Sequence, residues 1–127
     1  IYMTPRLVYG PVDTNLSVQE TEENTGEKVM EPTTAARLRA YMESTARFGT
    51  ARIGAPQNCV SGIKTGTAQT GVYDENGEEI ENYWYAGYIC NAQEEPLYTL
   101  VVLEETAGEM HVPQAFRKIG EALVDFN

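Results

Sequence analysis

The chain has 127 residues, 42% of them hydrophobic, which is enough for one core and too few for two. Its 9 basic residues stand against 19 acidic ones, a formal charge of −10, so no basic surface exists to neutralise nucleic-acid phosphates or to adhere to an anionic lipid surface. With one His, two Cys and no Cys-x-x-Cys, a metal site has no support, and no segment approaches the length of a membrane span or reads as a signal peptide.

In chain order, Tyr2 to Tyr9 reads as a short strand ended by Gly10-Pro11. Asp13 to Glu27 is acidic, polar and free of aromatics, the composition of a mobile loop; its Asn15-Leu16-Ser17 is a glycosylation sequon only in a eukaryotic host. Pro32 and Thr33 open a helix to about Phe48, with Ala35, Leu38, Tyr41, Met42, Thr45 and Phe48 on one face, and Gly49-Thr50 stops it. Cys59 to Thr70 is a strand, and Asn76-Gly77 among acidic residues predicts a hairpin turn. Tyr83 to Cys90 and Leu97 to Glu104 are the next strands. The second is apolar without interruption, which predicts a strand covered on both faces or placed centrally. Pro113 opens a last helix whose Phe116, Ile119, Leu123 and Phe126 share an apolar face. The expected architecture is α+β: one domain over 1–127, a three-strand antiparallel meander plus the short N-terminal strand, and helices packed on one face.

Several groups that invite a functional reading have plainer ones. Tyr83, Trp84, Tyr85 and Tyr88 are expected to pack against helices rather than to stack on bases or sugars. Glu94-Glu95 and Glu104-Glu105 point apart on strand ends, so solvated charge is expected rather than an acid–base pair. Cys59 and Cys90 are expected as two buried free thiols, a disulfide being the alternative in an extracytoplasmic protein, and His111 as a surface residue.

The run Lys64-Thr65-Gly66-Thr67-Ala68-Gln69 stands apart. Alternation along a strand puts Thr65 and Thr67 on one face and Lys64 and Gly66 on the other. Two hydroxyls two residues apart can grip one carboxylate. Gly66, lacking a Cβ, lets a ligand backbone lie close, and Lys64 sets a positive charge into an acidic chain.

Those residues, with Tyr83-Trp84-Tyr85-Ala86-Gly87-Tyr88 and the Leu97 to Leu103 run, resemble the C-terminal part of a penicillin-binding protein transpeptidase domain. Ala68-Gln69 and the Trp-aromatic-x-Gly strand are most similar to the class B branch. Met3-Thr4-Pro5-Arg6-Leu7-Val8 is similar to the family's strand before its late helices, and Leu38-Arg39, Met42 and Phe48-Gly49-Thr50-Ala51 to the helix and turn that lead into the Lys-Thr-Gly strand. The family also needs a nucleophilic Ser with a Lys one helical turn later, and a Ser-x-Asn. No Ser-x-Asn occurs here, and the spacing Ser61-Gly62-Ile63-Lys64 lies on a strand, where the two side chains point to opposite faces. The chain is therefore expected to be a fragment.

The resemblance implies acyl transfer through a serine ester. A Ser outside this chain would attack a D-Ala-D-Ala stem peptide of peptidoglycan, Thr65 and Thr67 would hold its terminal carboxylate, and the Thr67 backbone N–H would be one of two oxyanion-hole donors. Gly66 would let the substrate lie along the strand, and Lys64 would serve the carboxylate and the proton transfer. β-Lactams would acylate the parent, no cofactor is needed, and the parent would sit at the extracytoplasmic face of a bacterial membrane. The implied partners are stem peptides, β-lactams, the upstream half of the same domain and, through an open sheet edge, a second copy. A β-lactam-sensing module without activity and a piece of a serine β-lactamase are the alternatives.

Overall fold

The computed structural model describes residues 14–15 and 26–126, so the expected strand at 2–9 and most of the expected loop at 13–27 lie outside the described residues. The chain divides into two units, Ile1–Ala35 and Ala36–Asn127. In the first, Lys28 Nζ pairs with Glu31 at 2.9 Å. Helix α1 spans Pro32–Phe48 and opens on a proline, whose missing N–H costs nothing in a first turn. It closes where the Gly49 N–H donates to the Thr45 carbonyl at 3.1 Å. A single 3-10 turn, Arg52–Gly54, leads on towards the sheet.

Strands β1 (Ser61–Tyr73), β2 (Glu79–Cys90) and β3 (Pro96–Thr106) form an antiparallel meander in the order β1-β2-β3, and α2 (Val112–Asp125) follows. This is the α+β class and the three-strand meander expected from the sequence. Both hairpins close by one device. The Asp74 carboxylate accepts the N–H groups of Asn76 at 2.9 Å and Glu78 at 2.8 Å, and the Asn91 side chain accepts those of Gln93 at 3.0 Å and Glu95 at 2.9 Å. Gly77 supplies the left-handed residue of the first turn, with φ of 81°. Glu94 supplies that of the second, with φ of 61°, so this turn carried no Gly signal in the sequence.

The register puts Ser61, Ile63, Thr65 and Thr67 on one face with Tyr83, Tyr85, Ile89, Tyr98, Leu100 and Val102. Helix α2 covers that face. Phe116 and Val112 are fully buried against Ile63 and Ile89, and the Phe116 and Tyr85 rings meet at 5.8 Å and 51°. The buried stripe of α2 is Val112, Pro113, Phe116 and Gly120; of the expected Phe116, Ile119, Leu123 and Phe126, Phe116 is buried, Leu123 is half-buried, and Ile119 and Phe126 are exposed. The cause is close packing at Gly120, where a Cβ would lie 2.6 Å from Pro56 Cγ and 3.1 Å from Ile89 Cδ1. A hydrophobic pattern cannot register a contact made by a residue without a side chain.

Two further expectations are corrected. Strand β3 is an outer strand among the described residues, as β1 is, and its Leu97, Val101 and Leu103 side is exposed rather than covered. The uninterrupted apolar run marks a strand with two apolar faces, and α2 lies over only one of them. In α1, Ala46 is the buried residue, while Leu38, Tyr41 and Phe48 of the expected apolar face are exposed.

Candidate functional site

Strand β1 carries Lys64, Thr65, Gly66 and Thr67 side by side. The Cys90 N–H donates to the Val60 carbonyl at 2.9 Å, and the β1–β2 register, continuous from Ser61 to Gln69, then sets the ladder alternation. Gly62, Lys64 and Gly66 turn their backbone groups towards β2. Ile63, Thr65 and Thr67 turn theirs away from it, to an edge on which no strand pairs among the described residues. An outward row of N–H and C=O groups is the template on which an extended peptide can add.

The side chains divide as alternation requires. Lys64 and Gly66 share the face of Trp84, while Thr65 and Thr67 share that of Tyr85. Lys64 is exposed, and its Nζ donates to the Thr65 carbonyl. Nothing in this chain requires a glycine at 66, since a Cβ there would meet only Trp84 at an ordinary 3.6 Å. Ser61 is buried on the Ile63 face and Lys64 is exposed on the other, so the Ser61…Lys64 spacing makes no Ser–Lys pair.

The structure adds one residue that the sequence reading left out of the site. Thr50, in the turn after α1, sets its Oγ1 3.1 Å from Thr65 Oγ1, and its carbonyl accepts the Tyr85 hydroxyl at 3.3 Å. The Gly49-Thr50 pair was visible as a helix stop, but its contact with Thr65 is tertiary and left no local signal. A cavity of about 450 Å³ opens beside Thr50, lined also by Arg47, Phe48, Gly49, Arg52 and Ile53. Arg117 donates to the carbonyls of Ala55, at 3.2 Å, and Ile53, which anchors this segment to α2.

Other polar clusters are structural. Glu104 is not the solvated carboxylate expected. It accepts the N–H groups of His111 and Val112 at 2.6 Å each, with His111 Nδ1 at 3.1 Å, and so caps the start of α2 from the end of β3. Desolvation opposes ionisation of Glu104, yet these hydrogen bonds and the His111 ring together hold its carboxyl below the usual range. Tyr88 donates to Glu43 at 2.8 Å under the Arg39 guanidinium, which lies 5.4 Å from its ring centroid. The aromatics of β2 thus pack, Tyr85 on α2 and Tyr88 on α1, while Trp84 stays exposed. Both cysteines are free thiols, and burial pushes their pKa values up. Among the described residues no His, Cys, Asp and Glu group is placed to hold a metal ion.

A family model for the penicillin binding protein transpeptidase domain matches residues 1–121. The chain belongs to that family, one of acyl-transferring, penicillin-binding transpeptidases. Comparison with curated proteins found no match.

Proposed function

We propose that this chain is the C-terminal portion of a serine D,D-transpeptidase that cross-links peptidoglycan stem peptides, and that it supplies the wall of the active site against which the acyl-D-Ala-D-Ala substrate lies. The observation that carries the reading is the outward-turned backbone of Thr65 and Thr67 within Lys64-Thr65-Gly66-Thr67. The substrate adds to this edge as a strand, the Thr67 N–H faces the oxygen of the tetrahedral intermediate, and the Thr65 and Thr67 hydroxyls take the terminal carboxylate. Thr50 orients the Thr65 hydroxyl through the contact at 3.1 Å. Lys64 places a positive charge beside the substrate and supports proton transfer, and Gly66 leaves room for the peptide.

The nucleophile and its lysine come from a part of the domain upstream of this chain, which also covers the Trp84, Val101 and Leu103 face. Among the described residues no helix is long and apolar enough to cross a membrane. In this proposal the parent works at the extracytoplasmic face of a bacterial membrane, where stem peptides are found. Without its upstream half the chain has no acyl-transfer activity. Incubation with a fluorescent penicillin and denaturing electrophoresis is expected to leave this chain unlabelled and to label the longer protein that contains it. A labelled band at the mass of the chain, lost in Ser61→Ala, would overturn the reading.

A further inference from the structure

We propose that Arg47 and Arg52 form an anion subsite continuous with Thr65, which takes the carboxylate end of the peptide ligand; this rests on the function proposed above. Cations are scarce here, 9 against 19 acidic residues, and among the described residues the ion pairs are Lys28–Glu31, Arg39–Glu43 and His111–Glu104. Neither Arg47 nor Arg52 enters one. Both line the cavity of about 450 Å³ whose Thr50 lies 3.1 Å, oxygen to oxygen, from the Thr65 hydroxyl.

Helix electrostatics accounts for only part of this. Arg47 lies in the last turn of α1, where a cation offsets the partial negative charge of the carbonyl ends. Arg52 lies beyond the helix, in the 3-10 turn, and adds a charge that the helix does not need. Of the other cations, Arg117 donates to the carbonyls of Ile53 and Ala55, and Lys64 to that of Thr65. Phe48 and Ile53, 82% and 62% exposed, line the same concavity. Two free guanidinium forks between apolar walls suit a carboxylate carried on a small aliphatic group, which a terminal D-Ala is.

The test is a titration of the isotope-labelled chain, followed by its backbone amide signals, with N-acetyl-D-Ala-D-Ala and with the C-terminal amide of the same peptide. The acid is expected to move the signals of Thr50, Thr65 and Thr67. Arg47→Gln with Arg52→Gln is expected to weaken the acid about tenfold or more and to leave the weaker amide unchanged. Arg52→Lys should fall between. Unchanged signals from α2 establish that the variants are folded. If the double variant binds the acid as the wild type does, while Thr65 and Thr67 still respond, the subsite is wrong and the peptide-binding strand stands. If the acid moves no β1 signal in the wild type, the strand reading fails, and sodium acetate against sodium chloride at equal ionic strength decides the subsite alone. Acetate-specific shifts at Thr50 and Arg52 that vanish in the double variant uphold it, and their absence in the wild type overturns it.

Discussion

One face of the sheet is closed by α2, while the other, where α1 meets Tyr88, is largely open, across the same backbone. On the closed face, Ile63, Tyr85 and Ile89 pack under Phe116 and Val112. On the open face, Trp84, Val101 and Leu103 remain 38%, 55% and 48% exposed beside Lys64 and Gly66. Trp84 pairs directly with Leu103, and Ala86 with Val101, so the open residues form one contiguous apolar surface. The closed face makes this chain a folded unit. The open face and the free edge of β1 are the surfaces left available to the peptide ligand and partner segment of the function proposed above.

Phe116→Ala should have the largest effect on that contrast, because it empties the centre of the closed face. A loss of about 3–5 kcal/mol in denaturant unfolding is expected. A loss below about 1 kcal/mol would mean that α2 does not hold this face.

A matched pair of alanines separates the two faces more sharply. Gly120→Ala would drive a Cβ to 2.6 Å from Pro56 and should cost about 1–3 kcal/mol. Gly66→Ala meets only Trp84 at 3.6 Å and should leave stability within about 0.5 kcal/mol of the wild type, or raise it slightly. In the parent protein proposed above, the same Gly66→Ala should slow acylation by penicillin, because the added methyl occupies ligand space. Equal stability costs at the two positions would erase the distinction between a packed face and a binding face.

Glu104→Gln should act more mildly, by about 1 kcal/mol, the size of a weakened helix cap. Its pH dependence has a definite sign. The Glu104 carboxyl titrates lower in the folded chain than in the unfolded one, so its contribution is present above the unfolded pKa and is lost as pH falls through the folded one. Stability measured from neutral to acid pH should therefore fall less steeply in Glu104→Gln than in the wild type. Parallel curves would show that the clasp with His111 and Val112 contributes nothing.

Much of this was legible in the sequence, and the remainder failed for identifiable reasons. The Lys64-Thr65-Gly66-Thr67 run, the Asn76-Gly77 turn and the helix entry at Pro32 are local signals, and local signals survive in one dimension. The apolar run of β3 correctly marks two apolar faces but says nothing of which one this chain covers. Gly120 packs through the absence of a side chain, and Thr50 reaches Thr65 across 15 residues by a tertiary hydrogen bond. Glu104 looked like surface charge because its partners, the N–H groups of His111 and Val112, belong to a helix that starts after the next turn of chain.

The central claim, that β1 is the substrate-holding strand of a transpeptidase, is tested most directly by the rate at which penicillin acylates the parent protein proposed above in its wild-type and Lys64→Ala forms. Loss of a charged hydrogen-bonding partner felt in the transition state predicts a fall of roughly tenfold to a hundredfold. Lys64→Arg should restore part of it, since it returns the charge without the compact geometry of the ammonium. Acylation of Lys64→Ala at the wild-type rate would contradict the assignment of this strand to the active site.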